Sequence, residues 1–106
     1  MHFKSTLSHE RRRLVELMQT INFGRIERLQ VSLRQPVFTP APIIVREHKF
    51  SSENGPRPER ESDDFLLKRQ VIELFGQLDA IGTGIIDEIE FKNGLPFRMI
   101  VTEVAA

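Results

Sequence analysis

Apolar residues recur at helical spacing in two stretches of the chain. Leu14, Leu17, Met18 and Ile21 predict an amphipathic helix over residues 9–22. Leu67, Val71, Leu74, Phe75 and Leu78 predict a second over residues 63–79. Ser8 and Ser62 stand where N-caps belong, and Glu10, Asp63 and Asp64 follow where the helix dipole favours anions. Asn22-Phe23-Gly24 is a stop signal for the first helix.

After each helix the period shortens. Residues 24–31 read as a strand, with Leu29 and Val31 on one face and Ile26 on the other. Ser32–Gln35 turns the chain, and Pro36-Val37-Phe38 begins a return strand. Pro40 and Pro42 confine that strand to an edge or break it, because proline has no amide to donate. Ile43–Val45 resumes an extended run toward Phe50. Residues 85–92 form the corresponding strand of the second half, with Ile85, Ile89 and Phe91 on one face. Asn93-Gly94 is a strong hairpin signal, since a type I′ turn needs positive φ at both central positions. Phe97, Met99 and Val101 then alternate with Arg98, Ile100 and Thr102, as a return strand would. Residues 51–62, SSENGPRPERES, have linker composition.

The two halves also match residue by residue. Leu14–Asn22 lies over Val71–Asp79, pairing Glu16-Leu17 with Glu73-Leu74 and Ile21 with Leu78. Gly24–Phe38 lies over Gly84–Arg98 without a gap, pairing Ile26 with Ile86, Leu29 with Ile89 and Pro36 with Pro96. On this overlay Ala80–Thr83 holds three extra residues. The chain therefore reads as one domain of two αββ repeat units, at residues 9–50 and 63–102. The expected fold class is α+β, with two helices packed on an antiparallel four-stranded sheet, since neither unit alone could bury a helix stripe and a sheet face. Ile26, Ile86 and Ile100 fall on the uncovered face, which points to a second copy of the chain as its cover.

Charge refines this picture. Residues 1–50 carry nine Lys/Arg against four Asp/Glu, and residues 51–106 carry six against eleven, so the halves balance at +5 and −5. Two attracting halves or subunits explain the split better than a nucleic-acid surface, because backbone binders are usually basic overall. Cysteine is absent, which excludes disulfides, thiolate metal sites and cysteine nucleophiles. No apolar run is long enough to span a membrane, and the first residues have no apolar signal core, so a cytoplasmic protein is expected.

Candidate chemistry concentrates in FGQLDAIGTGIIDEIEF, residues 75–91. This run resembles the EF-hand family, with Asp79, Thr83, Asp87 and Glu90 at the first, fifth, ninth and twelfth loop positions and Gly84 at the sixth. The resemblance implies an oxygen cage for Ca²⁺ built from those four residues. The chain departs from the family at Ile81, which has no ligand oxygen at the third position. It departs again at Asn93-Gly94 and Pro96, which interrupt the exit helix. In the hairpin reading Asp87 and Glu90 lie on opposite faces of a strand and serve the fold. A helix, a Gly-x-Ile strand start and a short hairpin also resemble certain small bacterial domains of unknown function, which implies a fold and no activity.

Arg11, Arg12, Arg13, Arg25, Arg28 and Arg34 could contact phosphates, but neither unit contains a second helix placed as a recognition helix. His2, His9 and His48 lack ligand spacing. No triad or phosphate loop is present, and Asp87, Glu88 and Glu90 read as a solvated acidic face. The sequence thus points to a small non-enzymatic interaction protein without a cofactor. It self-associates as a homo-oligomer or binds another protein. Nucleic-acid binding and calcium binding stand as the alternatives.

Overall fold

The computed structural model describes residues 6–50, 68–103 and 105. Helix α1 spans His9–Ile21, followed by strands β1 (Gly24–Ser32), β2 (Gln35–Val37) and β3 (Ile43–Arg46). Helix α2 (Arg69–Ile81) leads into β4 (Gly84–Lys92) and β5 (Leu95–Ile100). The class is α+β, with two helices packed on an antiparallel sheet of order β2-β1-β4-β5. The linker at 51–62 and the Ser62 cap lie outside the described residues.

The sheet has five strands rather than four. Both β2 and β3 pair with β1, opposite residues 30–32 and residues 24–27 respectively. They are two pieces of one return path, separated by Pro40 and Pro42, which cannot donate to a ladder.

The helices follow their local signals. Ser8 caps α1, its Oγ accepting from the Arg11 amide at 3.2 Å and donating to Gln35 Oε1 at 2.6 Å. Each helix ends in a tight turn of positive φ. Asn22 (φ 62°) and Gly82 (φ 69°) donate their amides to Met18 O and Leu78 O, both at 3.0 Å. The next amide, Phe23 or Thr83, donates back to Ile21 O or Ile81 O, both at 2.7 Å, closing a γ-turn.

These equivalences correct the expected overlay of the helices. Equivalent elements start and stop 60 residues apart: His9 and Arg69, Ile21 and Ile81, Gly24 and Gly84, Ser32 and Lys92. Buried Leu14, Val15 and Met18 correspond to buried Leu74, Phe75 and Leu78. There is no insertion at Ala80–Thr83. α2 continues to Ile81, two residues past its expected end. The overlay on Val71–Asp79 aligned similar letters, whereas packing on the sheet aligns the residues that point inward.

β1 and β4 pair about the local twofold that relates the units. Gly24 meets Phe91 and Val31 meets Gly84, while Ile26 meets Ile89 and Leu29 meets Ile86. Ile26, Leu29, Ile86 and Ile89 are all fully buried. This corrects the assignment of Ile26 and Ile86 to an uncovered face and of Ile85 to the core. Alternation slips by one residue between Ile26 and Leu29, where Arg28 takes φ 59°, and again between Ile86 and Ile89. Ile85 consequently faces solvent. The core gathers Leu14, Val15, Met18, Leu74, Phe75 and Leu78 from the helices against these strand residues and Phe91.

Each hairpin tip docks on the helix–strand junction of the other unit. Arg34 N donates to Gly82 O at 2.7 Å, and Gly94 N donates to Asn22 O at 2.9 Å. Both tips are I′-type, with φ 51° and 68° at Leu33-Arg34 and 56° and 72° at Asn93-Gly94.

Candidate interaction surface

The sheet face away from the helices is polar, not apolar as expected. Because Ile26 and Ile89 point inward, their neighbours Arg25, Glu27, Glu88 and Glu90 point out. Arg25 Nε lies 2.6 Å from Glu27 and 3.7 Å from Glu88. Arg98 lies 3.4 Å from Glu88 and 3.3 Å from Glu90. Two guanidiniums thus bridge three carboxylates, including Glu27 and Glu88, which the register sets directly opposite one another. The Arg25 guanidinium is held above its usual range, chiefly by the Glu27 hydrogen bond, with Glu88 and Glu90 adding to it. A basin of 810 Å³ covers part of this face. Its size suits a small molecule, but the Arg25 and Arg98 guanidiniums at its floor are committed to the carboxylates beside them.

A second polar cluster joins the two units. Arg11 Nη2 lies 2.5 Å from Asp79 Oδ1 and donates to the Arg34 carbonyl at 3.0 Å, with the guanidinium 5.1 Å from the Phe75 ring centroid. It brings the first turn of α1 to the last turn of α2. Together with the Arg25–Glu88 pair, it shows that the opposed charges of the halves meet within one chain. The Arg11 side chain is 16% exposed and that of Asp79 is 54%. Arg11→Met keeps the stem but deletes the hydrogen bonds and leaves the Arg34 carbonyl without this donor. It is expected to cost about 1–2 kcal/mol, and Asp79→Asn less than about 1 kcal/mol. Urea midpoints of the two variants check the order.

The calcium candidates are each engaged elsewhere. Asp79 holds Arg11, and Thr83 Oγ1 accepts from Leu33 N at 3.2 Å. Asp87 accepts from Thr102 at 2.6 Å, and Glu90 pairs with Arg98. Asp87 and Glu90 both point away from the core, not to opposite faces, because of the slip in β4. Residues 88–92 are strand and 95–100 its return, where the EF-hand resemblance implies an exit helix. Among the described residues no group of three or more His, Asp and Glu side chains gathers as a metal site.

The arginines are likewise dispersed. Arg11 faces Asp79, Arg12 reaches back to Leu7 O at 3.4 Å, and Arg13 lies 4.3 Å over the Phe38 ring. Arg25 belongs to the outer-face network, while Arg28 and Arg34 are exposed. The structure does not assemble Arg11, Arg12 and Arg13 into a phosphate-binding row. His9 and His48 are exposed, and His2 lies outside the described residues.

The two margins of the sheet differ. At the first, Phe38 and Leu17 pack against the core beside β2. At the second, α2 and β5 leave a groove of 210 Å³ floored by Leu74, Ile89 and Met99. Phe97 and Ile100 on β5 are 59% and 42% exposed. β5 pairs with β4 alone, so its outer edge has no strand partner among the described residues. The strand pattern of residues 95–100 was readable in the sequence, but nothing there distinguished a free edge from a covered one. Among the described residues, no helix is long and apolar enough to cross a membrane. No protein-family model, curated protein or solved structure matches the chain.

Proposed function

We propose that the chain is a small non-enzymatic interaction protein that self-associates as a homodimer and acts in the cytoplasm. The observation that supports this reading is the unequal finish of the two sheet margins. Prolines interrupt the β2–β3 edge and Phe38 packs beside it. β5 instead presents an edge that is unpaired among the described residues, with exposed Phe97 and Ile100 next to an apolar-floored groove. Native sheets normally blunt or cover such edges, and a second chain is one way to cover them. The outer sheet face is the weaker contact surface, because its charges already neutralise one another within the chain.

Sedimentation velocity over a wide concentration range tests the reading. The expected result is a concentration-dependent rise from the 12.3 kDa monomer to twice that mass, with little change at high salt. A strict monomer at the highest attainable concentration counts decisively against it.

A further inference from the structure

The two hairpin tips share a geometry but not a chemistry. The first unit turns on Leu33-Arg34 and the second on Asn93-Gly94. An asparagine followed by glycine can react with its own backbone. The glycine nitrogen attacks the asparagine Cγ readily because glycine has no Cβ to obstruct it. In the second tip that nitrogen is held. Gly94 is buried and its N–H donates to Asn22 O at 2.9 Å, while Asn93 beside it is exposed. The turn adds a second restraint. The first central residue of a I′ turn has ψ of about +30°, which swings the Gly94 nitrogen away from the Asn93 side chain. Ring closure needs the two on the same side of the Cα–C bond.

We propose that Asn93 is a site of spontaneous deamidation that docking of the two units keeps closed. When the units part, Asn22 O releases the Gly94 amide and the turn relaxes. Gly94 N then bonds to Asn93 Cγ, the Cγ–Nδ2 bond breaks, and ammonia leaves with the proton of the Gly94 amide. Water next opens the cyclic imide at either of its carbonyls. Attack at the former side-chain carbonyl gives aspartate at this position. Attack at the main-chain carbonyl gives isoaspartate, with Gly94 attached through the side chain.

The two products act differently on the fold. Asp-Gly is a I′ dipeptide as Asn-Gly is, so the aspartate form can close the tip again. Isoaspartate carries the main chain through an extra carbon, and the two-residue turn no longer delivers Gly94 N to Asn22 O. The core is assembled from both units, so the isoaspartate form marks a chain whose units have parted and keeps them from rejoining. The first tip is exempt. Leu33-Arg34 has no side-chain amide, and its backbone amides donate to Thr83 Oγ1 and Gly82 O. Self-association plays no part in this lock, since both sides of it belong to one chain.

Mass spectrometry of the digested full chain tests this, after incubation in native buffer and in urea that unfolds it. Peptide mapping separates Asn93 from Asn54-Gly55, which lies outside the described residues. Deamidation of Asn93 is expected to be at least about tenfold faster in urea, as for any reaction confined to the open state. Equal rates overturn the proposal. Arg11→Met then separates parting of the units from fraying of the tip, because Arg11 binds Asp79 and the Arg34 carbonyl beside the other tip. In native buffer this variant is expected to react at Asn93 about five- to thirtyfold faster than wild type, in step with its larger open population. A rate unchanged from wild type overturns the coupling to unit docking. By far-UV circular dichroism, Asn93→Asp is expected to keep the wild-type thermal midpoint, and the isoaspartate fraction recovered from urea to fail to refold. An isoaspartate fraction that refolds like wild type overturns the one-way lock.

Discussion

Phe91→Ala is expected to cost about 3–5 kcal/mol and to leave a large part of the chain unfolded at room temperature. Phe91 is the largest of the fully buried side chains, at 1% exposure, and projects from β4 into the core beneath both helices. Truncation loses the transfer free energy of the ring and leaves a cavity that the strand ladder on both sides of β4 resists closing. A small domain has only about 5–15 kcal/mol in hand. The equivalent residue in β1 is Val31, also buried but far smaller. Val31→Ala should therefore cost less, about 1–2 kcal/mol, by the same methylene arithmetic. Urea denaturation followed at 222 nm measures both, since the chain has no Trp or Tyr to report by fluorescence. Equal losses at the two positions would show that the ring does not occupy the core as described.

The second large effect separates two glycines that the repeat makes equivalent. Gly24 has φ 150° and lies where β1 meets β3. A Cβ there would overlap the Val45 carbonyl oxygen and crowd Ile21 Cγ2 and the Arg46 Cα. Val45 O is backbone, so relief requires β3 to move away from β1. Gly24→Ala is expected to cost about 2–4 kcal/mol, the sum of an unfavourable φ and a lost pairing. At Gly84 the nearest obstacle is the end of the Ile81 side chain at 3.3 Å, and no positive φ is required. Gly84→Ala should change stability by less than about 1 kcal/mol in either direction. Thermal midpoints of the two variants provide the comparison, and a Gly84→Ala loss as large as that of Gly24→Ala would contradict this account.

The two glycines also show where reading the sequence succeeds and where it stops. Alignment placed Gly24 over Gly84 correctly because both open a strand after a helix. Only the β3 backbone lying against Gly24 makes that glycine indispensable, and among the described residues β3 has no counterpart beside Gly84. The helix overlay missed for a related reason. Glu16-Leu17 matches Glu73-Leu74 as letters, yet Leu17 is only partly buried while Leu74 belongs to the core. A helix stripe is defined by what it packs on, and the sheet selects Leu14, Val15 and Met18.

The hairpin tips divide in the same way. Asn93-Gly94 announces a type I′ turn by its chemistry. Leu33-Arg34 adopts the same turn with no such signal. Its amides donate to Thr83 Oγ1 and Gly82 O, and Arg11 holds the Arg34 carbonyl. Tertiary hydrogen bonds offset the cost of two non-glycine residues at positive φ.

By itself, then, the order of apolar and polar residues determined two helices, the hairpin after each and the α+β class. Those follow from periods of 3.6 and 2 and from turn chemistry, all local. The tertiary structure decided which isoleucines face inward, because a one-residue slip at Arg28 and at its counterpart in β4 reverses the side on which each following residue lies. It decided that Asp79, Thr83, Asp87 and Glu90 serve a helix clamp, a hairpin tip and a strand network, since residues eleven apart at most in the chain were drawn to four separate partners. It also decided that β5 is bulged where β2 is not, so that Arg98 faces Glu90 at the place where Val37 faces Gln30.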